Sequence, residues 1–299
     1  MVDYITVGLE SSYGGGATTH TPILVTNVED NVNRGIEVFG NVDEYKKGYV
    51  KTGKLVVNGS FTASLRPIML KDVLVAAFGS GSSVGGYYKI GLGTPKSLEM
   101  RVSTRGVVKS LVGVGIIKTG FAFVSNKLAE VKVDWIARDY SLINEESVTY
   151  SKEDPALPYL CTITFTRNGT PVVKENVKML SMEVTFGLDG DYYVVDDYRL
   201  AGLIRKDVVE MTGSVELGGV DLNEVASILV GDVSRTSMSD NKMDVIGVKI
   251  DFVQLNGTPK VSLLFDVTYE SLASGLSKGS RQRTWKFRNC GEDIEVRIY

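Results

Sequence analysis

The chain has 299 residues, a formal net charge of −3, 43% hydrophobic residues and 23% charged residues. This length predicts two domains, each with its own core, and the composition is typical of a globular protein. The net acidic charge argues against an open basic surface that grips nucleic acid, although it is compatible with an acidic surface along which nucleic acid slides.

The N-terminal residues lack the features of a targeting segment. Met1–Glu10 have neither a basic start nor a long apolar run, so no signal peptide is predicted. No stretch in the chain reaches the length that a membrane-spanning helix needs, and membrane insertion is not expected. The glycine-rich residues that follow, Ser11–Thr19, are predicted to form a loop.

A strand–strand–helix pattern occurs twice, at residues 51–79 and 204–232. In each copy an alternating strand reaches a Gly-Ser pair, continues into a second short strand, and is followed by an apolar helical stretch. The two pairs, Gly59-Ser60 and Gly213-Ser214, lie about half a chain apart. Such a repeat predicts two copies of one small β-rich domain, an organisation more typical of an assembly subunit than of an enzyme.

The two predicted domains comprise residues 1–150 and 151–299, and each contains one short helix. Ile68–Phe78 has apolar residues at the i, i+3 and i+4 spacing of a helix that covers a core. Asp221–Val230 has the same pattern, with Asp221 as its N-cap. We expect each helix to cover the open end of a β-sandwich.

Most of the remaining chain favours strands joined by tight turns. Asn168-Gly169 and Asn256-Gly257 are strong hairpin signals, and many short strands with regular turns are typical of sandwiches and barrels. The predicted fold class is therefore mainly β, with duplicated sandwich or barrel domains. The predicted strands are Leu98–Ser103, Ser110–Ile117, Lys127–Ala137, Leu160–Arg167, Lys178–Gly187, Asp191–Val195, Val245–Leu255, Lys260–Glu270 and Ile294–Tyr299.

Two further stretches, Gly79–Gly86 and Ser271–Gln282, are predicted to be long loops because glycine and serine dominate them. Gly79–Gly86 follows a helix and lacks the Gly-Lys-Ser/Thr sequence of a phosphate-binding loop, so a nucleotide site is not expected there.

No set of catalytic, cofactor-binding or metal-binding residues stands out. The single histidine, His20, has no Gly-x-Ser-x-Gly motif beside it and cannot form a multi-histidine metal site alone. Cys161 and Cys290 are predicted to be reduced thiols, with a disulfide between the halves as the alternative. The acidic residues at 189–197 lack the order and terminal glutamate of a calcium loop. We therefore expect no enzyme activity, no cofactor and no metal.

Four motifs, in the same order along the chain, resemble those of tail tube proteins of long-tailed bacterial and archaeal viruses. The resemblance is carried by Y-I-T-V-G-L-E-S-S-Y-G at Tyr4–Gly14, G-S-F…L-R-P-x-x-L…L-x-x-A-F-G at Gly59–Gly79, K-M-L-S-M-E-V-T-F-G-L at Lys178–Leu188, and I-R-K-D-V-V-E-M-T-G-S-V at Ile204–Val215. It implies a structural subunit whose rings stack into a hollow tube that conducts the viral genome.

The resemblance also implies partners and a location. Copies of the chain would form rings, with three chains per ring if both halves are complete tube domains and six if the second half only enlarges one sandwich. Tape-measure, tail terminator and sheath proteins are the other expected partners, and DNA would pass through without specific contacts. The protein would be assembled in the host cytoplasm and reside in the tail of the virion.

In such a tube the two predicted loops would contact neighbouring copies, and the basic residues would meet carboxylates of the adjacent subunit. The residues assigned to these contacts are Gly79, Ser80, Gly81, Ser82, Ser83, Lys278, Arg281, Arg283, Lys286 and Arg288.

Two other functions fit the sequence. One is a carbohydrate-binding β-sandwich module, for which Tyr87-Tyr88 and Tyr192-Tyr193 are the candidate aromatic residues. The other is a hydrolase, because two carboxylates that are distant in sequence can meet in space without any local motif.

Overall fold

The computed structural model shows a mainly β protein, which confirms that part of the predicted fold class. Its described part contains one helix and eighteen strands. The second predicted helix, Asp221–Val230, and the two Asn-Gly turns lie outside it. The structure describes residues 4–40, 47–124, 127–157, 161–167, 170–174, 177–193, 197–218, 245–253, 259–277, 280–290 and 294–299.

The elements follow one another in chain order. Up to residue 157 they are β1 (Tyr4–Leu9), β2 (Thr21–Ile23), β3 (Val25–Gly40), β4 (Lys47–Ser64), α1 (Pro67–Phe78), β5 (Gly79–Val84), β6 (Tyr87–Leu92), β7 (Leu98–Thr104), β8 (Val107–Val124), β9 (Glu130–Ala137) and β10 (Asp139–Ile143). Thereafter they are β11 (Cys161–Arg167), β12 (Thr170–Lys174), β13 (Val177–Thr185), β14 (Glu210–Gly218), β15 (Ile246–Val253), β16 (Pro259–Ser277), β17 (Ser280–Asn289) and β18 (Glu295–Ile298).

Hydrogen bonds link all eighteen strands into one system, in which every pairing is antiparallel. It is clearest as three sheets that share β8 and β16. The long sheet has the order β3-β4-β9-β8-β13-β14-β17-β16. The first cross sheet has the order β2-β1-β7-β8-β10. The second has the order β12-β11-β15-β16-β18-β6-β5.

The two halves of the chain use the same strand order. In the long sheet, β3-β4-β9-β8 is followed by β13-β14-β17-β16. In the cross sheets, β2-β1-β7-β8-β10 corresponds to β12-β11-β15-β16-β18. The second cross sheet is longer because the β5–β6 hairpin of the first half pairs with β18. Each strand thus has a counterpart with the same neighbours, apart from this hairpin.

Irregularities in the strand pairing also correspond. The register of β3 against β4 shifts between Val25 and Asn27, and that of β13 against β14 shifts between Val177 and Met179. A second pair of shifts occurs where β8 meets β9 and where β16 meets β17. Bulges bend a strand and increase its twist, so the two halves of the long sheet bend at equivalent positions.

The two repeated Gly-Ser pairs lie within continuous strands, β4 and β14, so the predicted break into two short strands is wrong. Both glycines are needed for the close approach of an aromatic ring from the next strand. A Cβ at Gly59 would lie 2.4 Å from Trp135, and a Cβ at Gly213 would lie 2.4 Å from Phe287. Trp135 and Phe287 are directly opposite these glycines and are buried, so each half uses one glycine to seat one core ring.

Helix α1 confirms the first predicted helix, with Pro67 in its first turn and Gly79 as a left-handed C-cap. It packs against β8, β1 and the β5–β6 hairpin. The helix is buried on nearly all sides, because Met69, Val75 and Ala76 are as inaccessible as the predicted stripe. Ile68 is the exception to the predicted stripe, since its side chain is 59% exposed.

Three local predictions are wrong. Gly79–Gly86 is not a loop, because Gly79–Val84 form β5, which pairs with β6. Within Ser271–Gln282, residues 271–277 belong to β16 and residues 280–282 to β17, which pair with each other. The strand predicted over Asp191–Val195 is replaced, over its described residues 191–193, by a turn and an isolated bridge from Tyr193 to Leu200.

The other strand predictions are confirmed, although β8 continues past the predicted Ile117 to Val124 and β16 continues past the predicted Glu270 to Ser277. The hairpin of β15 and β16 is the clearest case, because the alternating apolar residues on one face of β16 are all buried. These residues are Val261, Leu263, Phe265 and Val267. Ser11–Thr19 contain no helix or strand, as predicted.

Candidate inter-subunit surface

The long sheet has one face in the core and one face in solvent. On β9, Val131, Val133 and Trp135 are buried, whereas Lys132 is exposed. The solvent face forms a shallow depression of about 600 Å³ across the middle strands. Its floor is made of small side chains, which keep the centre of the face smooth, and charged side chains stand around it. Residues of this face include Gly120, Ala122, Ser181, Ser214, Lys132 and Lys286.

Charges of both signs lie on this polar face. Lys118 on β8 pairs with Glu183 on β13, with 2.9 Å between Nζ and Oε1. Lys132 lies 3.6 Å from Asp134 on β9. Because such exposed pairs are hydrated and screened by salt, they contribute little to stability. The face is therefore polar and of mixed charge rather than uniformly acidic.

The two halves of the long sheet meet at one strand pair, β8 against β13. Their register runs without a shift from Lys118 opposite Thr185 to Val124 opposite Met179. This junction buries Phe121 and Phe123 of β8 on the core side. Antiparallel pairing of β13 with the C-terminal part of β8 thus joins the halves into a single sheet.

A second contact between the halves comes from the segment that connects β13 to β14. The backbone N–H of Leu55 donates a hydrogen bond to the Tyr198 carbonyl at 2.9 Å, and the Tyr193 hydroxyl donates to the Leu55 carbonyl at 2.9 Å. Arg199 forms an ion pair with Asp139 at 2.7 Å. The segment therefore fastens the second half onto β4 and β10 of the first.

A third contact involves Glu153, which lies between β10 and β11. Its carboxylate accepts hydrogen bonds from the backbone N–H groups of Ile68 and Met69 in the first turn of α1, each at 3.0 Å. Lys260 of β16 lies 3.8 Å from the same carboxylate. An anion is favourable at a helix N-terminus, so Glu153 caps α1 and links it to the second half.

The long sheet ends in one strand from each half. Among the residues that the structure describes, β3 pairs only with β4, and the part of β16 after Val267 pairs only with β17. On β3, Asn31 and Asn33 are exposed. An unpaired strand edge presents N–H and C=O groups that can bind another strand. The two ends of the long sheet therefore present such backbone groups in the described structure.

The first of the four motifs has a structural role that the sequence did not reveal. The Glu10 carboxylate accepts hydrogen bonds from the backbone N–H groups of Gly14 at 2.8 Å and Gly113 at 2.9 Å. The Tyr13 hydroxyl donates to the carbonyl of Leu200 in the other half at 3.3 Å. Glu10 thus folds the glycine-rich loop back onto β8, and Tyr13 ties it to the second half.

A buried polar cluster covers the outer face of the first cross sheet. Glu99 accepts hydrogen bonds from the Ala17 N–H at 2.7 Å, the Ser110 hydroxyl at 2.8 Å and the Arg101 guanidinium at 3.0 Å. Burial disfavours its charged form, but these hydrogen bonds and the nearby His20 outweigh this effect and hold the pKa of Glu99 below its ordinary value.

His20 belongs to this cluster. Its Nε2 atom approaches Glu99 Oε2 at 3.3 Å without the geometry of a hydrogen bond. Burial, and then the positive charge of Arg101, lower the pKa of His20, so the imidazole is neutral at pH 7.

The predicted inter-subunit residues do not form one site. Gly79–Ser83 lie in β5, and their backbone pairs with β6. Arg281, Arg283, Lys286 and Arg288 lie in β17, between β14 and β16. Lys286 and Arg288 are exposed on the polar face of the long sheet. Lys278 lies outside the described residues.

The tyrosine pairs of the alternative carbohydrate site are largely engaged by cations. Lys71 lies 5.1 Å above the ring of Tyr88, and Arg297 lies 5.0 Å above that of Tyr87. Lys54 lies 4.7 Å above the ring of Tyr193. These rings do not present a bare aromatic platform of the kind on which a sugar stacks.

Other site chemistry is limited in the described part of the chain. It contains no group of three or more histidine, cysteine or acidic residues that could hold a metal ion, and none of its helices is long and apolar enough to cross a membrane. Cys161 and Cys290 are both free thiols, so the halves are not joined by a disulfide. Burial raises the pKa of Cys161 to about 12, which keeps it unreactive. No protein-family model matches the chain, and no curated protein matches it significantly.

Proposed function

We propose that this protein is the structural subunit of a viral tail tube, and that its two halves, residues 1–150 and 151–299, are copies of one tube domain. In this proposal, copies of the chain close into rings, and the rings stack around a lumen through which the genome passes. The ordered motifs at Tyr4–Gly14, Gly59–Gly79, Lys178–Leu188 and Ile204–Val215 support the viral assignment.

The observation that carries the proposal is the organisation of the long sheet. Two sets of four strands with the same order are joined edge to edge at β8 and β13. The strands at the two ends of the long sheet are β3, the counterpart of β13, and β16, the counterpart of β8. A contact that joins two equivalent units head to tail can be repeated, and it makes a ring if the rotation closes. The chain already contains one such contact, and further chains would supply the rest.

The polar face of the long sheet suits the wall of a lumen. Its centre is smooth because Gly120, Ala122 and Ser181 line it, and its charges of both signs are partly paired with each other. Tight binding of DNA requires a dense array of unpaired cations, which the described part of this face does not present. DNA that passes along it would therefore not be held.

The equivalence of the halves favours three chains per ring, since each chain would then supply two of six similar domains. Tape-measure, tail terminator and sheath proteins remain the expected partners of such a tube, which would form in the host cytoplasm and reside in the virion.

Electron microscopy of the purified protein tests the proposal. We expect hollow rings or tubes to form as the protein concentration is raised, and two-dimensional class averages of end views to show six similar lobes. Mass measurement of single rings should give three chains. A protein that stays monomeric at every concentration would contradict the proposal, and glycan binding by that monomer would favour the carbohydrate-binding alternative.

A further inference from the structure

We propose that neighbouring copies are joined by β16 of one chain and β3 of the next, paired antiparallel with Ala273 opposite Asn31. The inference rests on the proposed function and specifies the strands, direction and register of the contact between chains. The partner of each free end of the long sheet is therefore a second copy of this chain.

The junction inside the chain provides the template. There β8 and β13 pair antiparallel, with Gly120 opposite Glu183. On its other side, β8 pairs with β9, and β13 pairs with β14. At one end of the long sheet, β16 corresponds to β8, because it pairs with β17 as β8 pairs with β9. At the other end, β3 corresponds to β13, because it pairs with β4 as β13 pairs with β14. Repeating the junction therefore places β16 against β3.

The bulge next to the core aromatic ring aligns β16 with β8. In β8 the register shifts after Ile116, which is opposite Trp135. In β16 it shifts in the same way after Tyr269, which is opposite Phe287. Ala273 lies four residues after Tyr269, as Gly120 lies four residues after Ile116. Ala273 is thus the counterpart of Gly120.

The glycine opposite each core ring aligns β3 with β13. Gly59 is opposite Asp30, and Gly213 is opposite Met182. The next residue along each strand is Asn31 in β3 and Glu183 in β13. The matching bulge earlier in each strand supports the same alignment. Since Gly120 is opposite Glu183 inside the chain, Ala273 is opposite Asn31 between chains.

The contact between chains differs from the internal junction in charge. Inside the chain, Lys118 and Glu183 form an ion pair across the strands. By the alignment above, the counterparts of these residues are Ser271 and Asn31, which carry no charge. The contact between chains would thus depend on backbone hydrogen bonds and apolar packing, and we expect it to persist at high salt.

Cysteine cross-linking within assembled tubes tests the register. In a Cys290→Ser background, Ala273→Cys and Asn31→Cys should form a disulfide between chains, because directly opposite residues in antiparallel strands have Cα atoms about 4.5–5.5 Å apart. The product should be a covalent ladder on a denaturing gel. A second opposite pair, Ser271→Cys with Asn33→Cys, should give the same ladder and covers the case in which the first pair assembles poorly.

The matched control is Ser274→Cys with Asn31→Cys, which moves one thiol by a single residue and so to the other face of the sheet. We expect little cross-linking from it. Tubes in which neither opposite pair cross-links, or in which the control cross-links equally well, would overturn the register while the proposed function stands. Absence of rings and tubes in the unmodified protein would overturn both.

Discussion

In the first half of the chain, the outer face of the cross sheet is covered, whereas the corresponding face in the second half has a depression of about 760 Å³. The loop after β1 lies over β7 in the first half, so Glu99 and Ser110 are buried there. At the second cross sheet, Lys249 of the second half and Lys89 of the β5–β6 hairpin line the depression, and both side chains remain half-exposed or nearly so. Two halves with one strand order thus place their charged side chains in different surroundings.

Features that occur in both halves in spite of this difference are the ones on which the shared strand order depends. The glycine that seats a core aromatic ring occurs in both halves, as do the bulges of the long sheet. The covering loop and its polar cluster occur only in the first half of the described structure. We therefore expect changes to the shared features to affect stability most, changes to the covered cluster to have intermediate effects, and changes to the open face to have the least effect.

The largest effect is expected when the shared glycines acquire a side chain. At Gly59 a Cβ would lie 2.3 Å from the Glu29 carbonyl oxygen as well as 2.4 Å from Trp135, and backbone cannot move aside easily. We expect Gly59→Ala to lower the free energy of unfolding by about 3 kcal/mol. Gly213→Ala should cost somewhat less, since its nearest contact is the Phe287 side chain at 2.4 Å.

Chemical denaturation of the purified variants measures both changes. Gly190→Ala is the matched control, because a Cβ at Gly190 has no atom within 4 Å. If Gly59→Ala and Gly190→Ala had the same stability, the close approach of Trp135 to β4 would not constrain this position.

The next effect should come from the covered cluster. Replacing Glu99 by alanine leaves the partly buried N–H of Ala17, the buried Ser110 hydroxyl and Arg101 without their shared acceptor. We expect a loss of about 2–3 kcal/mol in the free energy of unfolding. Asp251 of the second half, whose carboxylate accepts from Ser262, is a suitable comparison, and Asp251→Ala should cost less. An equal or larger loss there would contradict the difference drawn between the two outer faces.

The sequence predicted about half of the described strands and the first helix, because in these elements the local pattern agrees with the tertiary surroundings. Val261, Leu263 and Phe265 alternate in β16, and they are buried on one face of a hairpin whose partner is adjacent in the chain. The prediction for Gly79–Val84 was wrong because the glycine and serine content of this segment indicates a loop. The segment is a strand because it pairs with β6, and β6 in turn pairs with β18, which lies far away in sequence.

The candidate surface was harder to predict than the elements that form it. The internal junction pairs β8 with β13, and the sequence gives no local signal for which strands become neighbours across the two halves. The role of Glu10 was hidden for the same reason, because one of its N–H donors, Gly113, lies about a hundred residues away. The repeat of the Gly-Ser pairs was the one signal that pointed to equivalent positions, although each pair lies inside one continuous strand and not between two short strands.

A smaller effect is expected from acidification, and it sharpens the comparison because the only histidine in the chain lies in the covered cluster. The folded protein lowers the pKa of His20 from its ordinary value of 6.5, so the unfolded chain binds a proton more readily. The neutral imidazole of His20 therefore makes its full contribution to the stability of the folded protein above about pH 6.5, and this contribution is lost as the pH falls below that value. The lowered pKa of Glu99 adds a further loss as the pH falls below 4.5.

Melting temperatures measured between about pH 7 and pH 5 test this expectation. The unmodified protein should become less stable over this range, and His20→Asn should flatten the decline. An unchanged slope in the variant would show that His20 is not the group responsible.

The smallest effect is expected on the open face, where Lys89 pairs with Glu295 at 2.7 Å and Arg297 pairs with the same carboxylate. The hydrogen bond to Glu295 raises the pKa of Lys89, so the pair is charged at every ordinary pH. Water and salt screen exposed charges, and Arg297 remains to neutralise Glu295. Lys89→Ala should therefore leave the melting temperature unchanged within error at about 0.15 M salt.

The counterpart in the covered cluster is Arg101→Ala, which should clearly lower the melting temperature because Glu99 would lose its cation in a buried position. Equal effects of the two substitutions would mean that the covering loop does not shield the first half from solvent.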